Sequence, residues 1–291
     1  MICTLCPRMC RAQRDETHGE GYCGMGTRAV VARVAPHYWE EACLSGTRGC
    51  GTIFFSGCPL GCVYCQNYEI SHEKQGRPVT DEELAELITN LAAQGVHNIS
   101  FVTGTHFVPA ILRALDIARP ALPIVWNTGG YERADTLRAL DGRVDIYLPD
   151  LKNVSPRLGK VLANAPDYFE AASQAILEML RQTGPVELDE NGAIVRGTII
   201  RHLILPGQLE NTRRVLDVIR ERFDGAYVSL MAQYVPMGRA CDYPEINRPI
   251  TQDEYDEAVD YMLDLGLEDG FVQELEAADS KYTPPFDLTG L

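Results

Sequence analysis

The chain has 291 residues, 45% hydrophobic and 23% charged, enough to bury a full core and an ordinary composition for a folded protein. Its formal net charge of −15 repels phosphates and anionic lipid headgroups, which argues against nucleic acid or a membrane surface as partner. No stretch approaches the roughly 20 apolar residues that cross a bilayer, and the N-terminus lacks the pattern of a signal peptide. A cytoplasmic location is the expectation. In such a reducing setting the ten cysteines point to metal binding before disulfides. All but Cys241 lie within the first 65 residues, so the metal chemistry is expected at one end of the fold.

Residues 1 to about 50 are rich in Cys, Gly and Arg without a clear period and are expected to form an irregular, metal-organised cap. The apolar run Thr52-Ile53-Phe54-Phe55 then reads as a first buried strand. Thr80-Asp81-Glu82-Glu83 is a capping box, opening a helix to about Gln94. Strands follow at Asn98–Val102, Ile124–Asn127 and Val144–Leu148, alternating with helices at about Val108–Ala118 and Glu132–Leu140. A long helix is expected over about Tyr168–Gln182, then a small hairpin over Val186–Val195 turning at Asn191-Gly192. Strands at Thr198–Leu205 and Tyr227–Met231 flank a helix over about Glu210–Arg222, and a second capping box at Thr251 opens a helix to about Leu265. Gly270–Gln273 reads as a last short strand. Such alternation implies an α/β fold with a parallel sheet. About six βα units are fewer than the eight of a closed barrel. The expected architecture is an open, partial parallel βα barrel over residues 51–291 behind a Cys-rich cap over residues 1–50.

The central signal is Cys58-Pro59-Leu60-Gly61-Cys62-Val63-Tyr64-Cys65, three cysteines spaced x3 and x2 directly after the first strand. Thiolates suit iron–sulfur clusters, and three of them leave one iron of a cubane open to another ligand. A structural zinc borrowing a fourth ligand is the competing reading.

This motif, with an aromatic before the last cysteine, resembles the signature of the radical S-adenosylmethionine (SAM) superfamily. The likeness extends to pyruvate formate-lyase activating enzymes and their PflX-like relatives. It is carried by Gly57-Cys58, Tyr64-Cys65-Gln66-Asn67, Asn127-Thr128-Gly129-Gly130-Tyr131, Leu148-Pro149-Asp150-Leu151-Lys152, His202 to Gly207 and Met231-Ala232-Gln233-Tyr234, in the family's order. The resemblance implies a [4Fe–4S] cluster on Cys58, Cys62 and Cys65, and SAM held at its open iron. It implies a deoxyadenosyl radical that abstracts a substrate hydrogen, and a low-potential electron donor of the flavodoxin or ferredoxin type.

For SAM itself the resemblance points to Tyr64 beside the adenine, to Asn127, Thr128 and Asp150 at neighbouring strand ends, and to Tyr234. The last three strand-end residues offer hard oxygens that also suit a monovalent cation. Where the family usually has Gly-Gly-Glu, this chain has Thr103-Gly104-Thr105-His106, without the acid. Thr103, Gly104 and Thr105 still offer oxygens, and His106 is either a replacement contact or a substrate-side group. Asp150 and Lys152 stand two apart, so both face one side, as site residues or as a simple ion pair.

Cys3, Cys6, Cys10 and Cys23 form a second set large enough for a structural zinc or a second [4Fe–4S] cluster. Three functions compete: a radical SAM enzyme that activates a glycyl radical enzyme or modifies a protein or peptide, one acting on a small molecule, and a non-catalytic electron carrier. A carrier needs neither an open iron nor a large βα scaffold, which disfavours the third.

Overall fold

The computed structural model describes residues 2–279 and 282–291. The first regular element is β1 (Ala29–His37), followed by the one-turn helix α1 (Ala42–Ser45), β2 (Cys50–Phe55), the one-turn α2 (Tyr68–Ser71) and β3 (Arg77–Val79). The βα alternation then runs through α3 (Asp81–Ala93), β4 (Ile99–Val102), α4 (Val108–Ala118), β5 (Ile124–Thr128), α5 (Ala134–Arg138) and β6 (Ile146–Pro149). Two successive helices, α6 (Pro156–Ala163) and α7 (Tyr168–Thr183), lead to β7 (Glu187–Leu188) and β8 (Ile194–Leu203). The chain closes with α8 (Leu209–Arg222), β9 (Tyr227–Met231), α9 (Gln252–Asp264) and β10 (Gly270–Val272).

These strands form one sheet in the order β10-β9-β8-β6-β5-β4-β2-β1-β3, with β7 paired on β8. From β2 to β10 every neighbouring pair is parallel. Their strands are buried on both faces, as all six residues of β2 and all four of β4 and β6 illustrate. That is why they read as unbroken apolar runs and not as alternation. Among the described residues the edge strands β3 and β10 do not pair, so the sheet is open. Trp126, Phe101 and Phe107 centre the core under α3 and α4, while Tyr168, Ile200 and Leu216 centre the one under α7 and α8. Both capping boxes form completely, with Thr80 and Glu83 opening α3 and Thr251 and Glu254 opening α9.

Two expectations are corrected. The first 50 residues are not wholly irregular: β1 pairs antiparallel with both β2 and β3, so the sheet begins well before residue 51. The run Ala29-Val30-Val31-Ala32 is a buried β-branched segment, hidden from composition by the Cys, Gly and Arg around it. The expected hairpin forms, with β7 pairing antiparallel with the start of β8 across a turn at Asn191-Gly192, and its second arm runs on unbroken as β8 to Leu203. Finally, α6 arises where no helix was expected. Ser155 caps it by accepting from the Leu158 N–H, and Pro156 supplies a preset first turn.

Candidate active site

Because parallel strands point the same way, their C-terminal ends open into one mouth. Its empty space is about 1270 Å³, open to solvent on one side. Cys58, Cys62 and Cys65 line it together with Tyr64, Thr103, Asn127, Thr128, Asp150 and Lys152. The cysteine loop leaves β2 through Gly57 and turns again at Gly61, where φ is +73° and a Cβ would lie 2.5 Å from the Tyr22 hydroxyl. Only glycine fits there. Two backbone bonds fix Val63, two residues on: its N–H donates to Leu162 O at the end of α6 (2.9 Å), and its O accepts from the Arg239 N–H (2.7 Å).

The sulfurs themselves receive hydrogen bonds. The Leu60 N–H donates to Cys58 Sγ at 3.3 Å, and Ser71 Oγ to Cys65 Sγ at 3.3 Å. Such donors suit thiolates that carry charge delocalised over a cluster. Among the described residues no group of three His, Cys, Asp or Glu side chains is gathered as a single metal ion would need. Three thiols on one wall of a large cleft, two of them accepting hydrogen bonds, fit a [4Fe–4S] cluster with SAM against it better than a lone zinc.

The other predicted residues divide. Tyr64 is buried in the wall, its ring edge-on to that of Tyr234 at 6.1 Å. Thr103 lines the mouth with φ at +60°, a strained left-handed conformation for a β-branched residue. Strain of this kind concentrates at functional sites. Gly104 and Thr105 do not line the mouth. Gly104 packs on the Trp126 ring, where a Cβ would come within 2.8 Å, and Thr105 Oγ1 donates to Glu132 Oε1 at 2.7 Å. Tyr234 is also displaced from the expected role: its hydroxyl donates to Ile246 O at 2.7 Å and its ring stands behind Tyr64. His106 lies wholly inside, donating from Nε2 to Ser56 O at 2.8 Å just before the cysteine loop. Burial depresses its pKa to about 4, so it stays neutral near pH 7 and serves as a strut for that loop.

The three side chains expected to share a cation each engage a different partner, Asn127 through its amide nitrogen. Thr128 Oγ1 donates to Glu132 Oε1 (2.6 Å), the Asn127 amide donates to Glu40 Oε1 (3.2 Å), and Asp150 pairs with Lys152 Nζ. Glu132 also accepts from Trp126 Nε1 at 3.1 Å, and burial raises its carboxyl above the usual range.

Sequence reasoning missed the far wall of the mouth. Arg201, from β8, reaches both Glu40 and Glu41 beyond the end of β1, and Glu40 and Arg201 line the same cleft as the cysteines. Burial works against the Arg201 guanidinium, but the two carboxylates more than offset it and hold its pKa well above the ordinary value. The available signal was Arg201-His202, two polar residues set between Ile199-Ile200 and Leu203-Ile204. Trp39 and Tyr282, with ring centroids 4.7 Å apart, border the same space.

At the N-terminus Cys3 and Cys6 are buried, Cys23 is half-buried and Cys10 is exposed. The Cys6 thiol is pushed up to about 12 by burial first, with Cys23, Cys3 and Cys10 adding to the effect. Cys3, Cys10 and Cys23 thus act electrostatically on Cys6, although among the described residues no three such side chains are gathered as closely as a single metal ion would need.

Comparison with known proteins agrees with this geometry. The Radical SAM superfamily model matches residues 52–219. An uncharacterized protein of Methanocaldococcus jannaschii is 30% identical over 277 residues, covering 90% of this chain and 76% of its own. The crystal structure of methylornithine synthase (PylB) superposes with a TM-score of 0.50 at 14% identity, over 76% of this chain and 70% of its own. Streptococcus suis SuiB, crystallised with S-adenosylmethionine, gives a TM-score of 0.49 at 12% identity, and this chain spans 48% of its length. Among the described residues no helix is long and apolar enough to cross a membrane. With more than half of the chain matched by the family model and three cysteines of its motif gathered at the mouth of an open parallel sheet, this chain belongs to the radical SAM superfamily, whose enzymes use a [4Fe–4S] cluster and S-adenosylmethionine.

Proposed function

We propose that this enzyme abstracts hydrogen from a protein or peptide, the substrate class of the activating enzymes that its motifs resemble. The observation that carries this reading is the open sheet, whose edge strands β3 and β10 do not pair among the described residues, so that the cysteine-lined mouth stays open to solvent. A peptide backbone needs such access, whereas a small substrate is better served by enclosure. When bound, the cluster and SAM supply a 5′-deoxyadenosyl radical after one-electron reduction by a flavodoxin- or ferredoxin-type donor.

The chain's own residues supply holding and exclusion. Cys58, Cys62 and Cys65 hold the cluster, and Tyr64, backed by Tyr234, presents an aromatic wall to the adenine. Asp150, paired with Lys152, and Thr103 present polar atoms at the strand ends for the rest of SAM. Beside this site, Cys3, Cys6, Cys10 and Cys23 hold a second metal centre that folds the coreless N-terminal segment.

The substrate class is tested with a deuterated anaerobic cell extract separated by ultrafiltration. Deuterium should enter 5′-deoxyadenosine with the retained macromolecules and not with the filtrate. Label arriving only with the filtrate would move the assignment to a small molecule.

Asp150→Asn keeps the shape and removes the charge. Since charge-assisted bonds are worth roughly 1.5–3 kcal/mol, SAM affinity or cleavage should fall about 10- to 100-fold with cluster content unchanged. A fully folded variant with normal deoxyadenosine yield would leave Asp150 as a structural partner of Lys152 only.

The N-terminal centre is read by metal analysis of a Cys58→Ala, Cys62→Ala, Cys65→Ala protein. About four irons per chain would identify a cluster and about one zinc a structural site. Neither metal would remove the second centre.

A further inference from the structure

Arg8, two residues beyond Cys6, makes a set of contacts that the site described above does not account for. Its guanidinium reaches out of the N-terminal segment and lies against the cysteine loop. Nε donates to Pro59 O at 2.8 Å and one terminal nitrogen donates to Leu60 O at 3.0 Å. The same nitrogen donates to Ala163 O at 3.2 Å, and the other donates to Asn164 O, both at the C-terminal end of α6. The group is sandwiched between aromatic rings, 4.0 Å from the centroid of Tyr22 and 5.3 Å from that of Tyr131. Among the described residues it has no carboxylate partner within ion-pair distance, and the protein groups that meet its charge are carbonyl dipoles and π faces.

The carbonyl that Arg8 Nε engages belongs to the Pro59–Leu60 peptide. The N–H of that same peptide donates to Cys58 Sγ at 3.3 Å. A cation on the oxygen of an amide draws electron density from its nitrogen and strengthens the bond that its N–H gives. Hydrogen bonds to cluster sulfurs favour the reduced, more negative state and raise the reduction potential. We infer that Arg8 is a positioning residue that sets the potential of the [4Fe–4S] cluster through the Pro59–Leu60 peptide, and so sets how readily the cluster accepts its one electron. The N-terminal segment thereby tunes the cluster without supplying a ligand to it. This inference rests on Cys58 being a cluster ligand.

The test is a dithionite redox titration, followed by electron paramagnetic resonance, of reconstituted holoenzyme at equal iron content. For Arg8→Gln the reduced-to-oxidised ratio at a fixed potential should fall about tenfold, which is 59 mV for a one-electron couple. Arg8→Lys keeps the charge but not the fork that engages both carbonyl groups of the loop, and should still fall about threefold. Wild-type potentials in both variants would overturn the inference. A wild-type potential in Arg8→Lys alone would also overturn it, because charge acting through space would then suffice. If Arg8→Gln fails to load its cluster, Tyr22→Phe gives a gentler probe. It removes the hydroxyl that donates to Leu60 O at 3.3 Å, the oxygen of the adjoining Leu60–Gly61 peptide whose N–H also bears on Cys58 and which Arg8 engages as well, while keeping the ring under Arg8. A shift in the same direction of about twofold is expected, and an unmoved potential would count against the mechanism. Retention of the full cluster spectrum in Cys58→Ala would instead refute the ligand assignment, an outcome distinct from any of these.

Discussion

Three thiolates must be held in one orientation by an eight-residue loop that has too little side chain to hold itself. From Cys58 to Cys65 the loop contains Pro59 and Gly61, and its only large side chains are Leu60 and Tyr64. It makes few backbone bonds of its own. Its geometry is imposed from outside, by Leu162 on α6, by the Arg239 backbone, by His106 behind Ser56 and by Arg8 on two of its carbonyls. Buried polar groups of this kind must be partnered or they cost 1–3 kcal/mol each, to order of magnitude. The scaffold therefore reads as a set of supports for one loop. The N-terminal segment belongs to that set, because Arg14 also donates to His106 O at 2.8 Å and so ties the strut to the cap.

The mouth carries charge that is paired but not neutral. On the wall away from the cysteines, one guanidinium meets two carboxylates, Glu40 and Glu41. Beside the cysteine loop, Asp150 and Lys152 form a one-to-one pair. The excess is negative on the far wall, where Asn127 also donates to Glu40.

Much of this was legible in the sequence for local reasons. Capping boxes, the cysteine spacing and the buried apolar runs depend on residues within one or two turns of each other, and the elements appeared close to where those signals put them. What stayed illegible depends on long-range contact. Strand β1 is an apolar run set in Cys-, Gly- and Arg-rich sequence, and only β2 and β3 on either side of it show that it belongs to the sheet. Gly104, Thr105 and Tyr234 occupy expected strand ends, yet their polar atoms or faces turn toward Glu132, Trp126 and Ile246. No spacing rule announces that Arg201 lies against Glu40, about 160 residues earlier, or that Arg8 lies against Pro59. Sequence reasoning located the chemistry and left its supports to the fold.

The central claim is that the three cysteines at the mouth build a centre that cleaves SAM. Its most direct measurement is the yield of 5′-deoxyadenosine from SAM by the reduced, reconstituted protein, compared with the same chain carrying alanine at Cys58, Cys62 and Cys65. Formation by the native protein and none by the variant is the predicted result. Equal formation by both, or none by a native protein with its full iron content, would contradict the account.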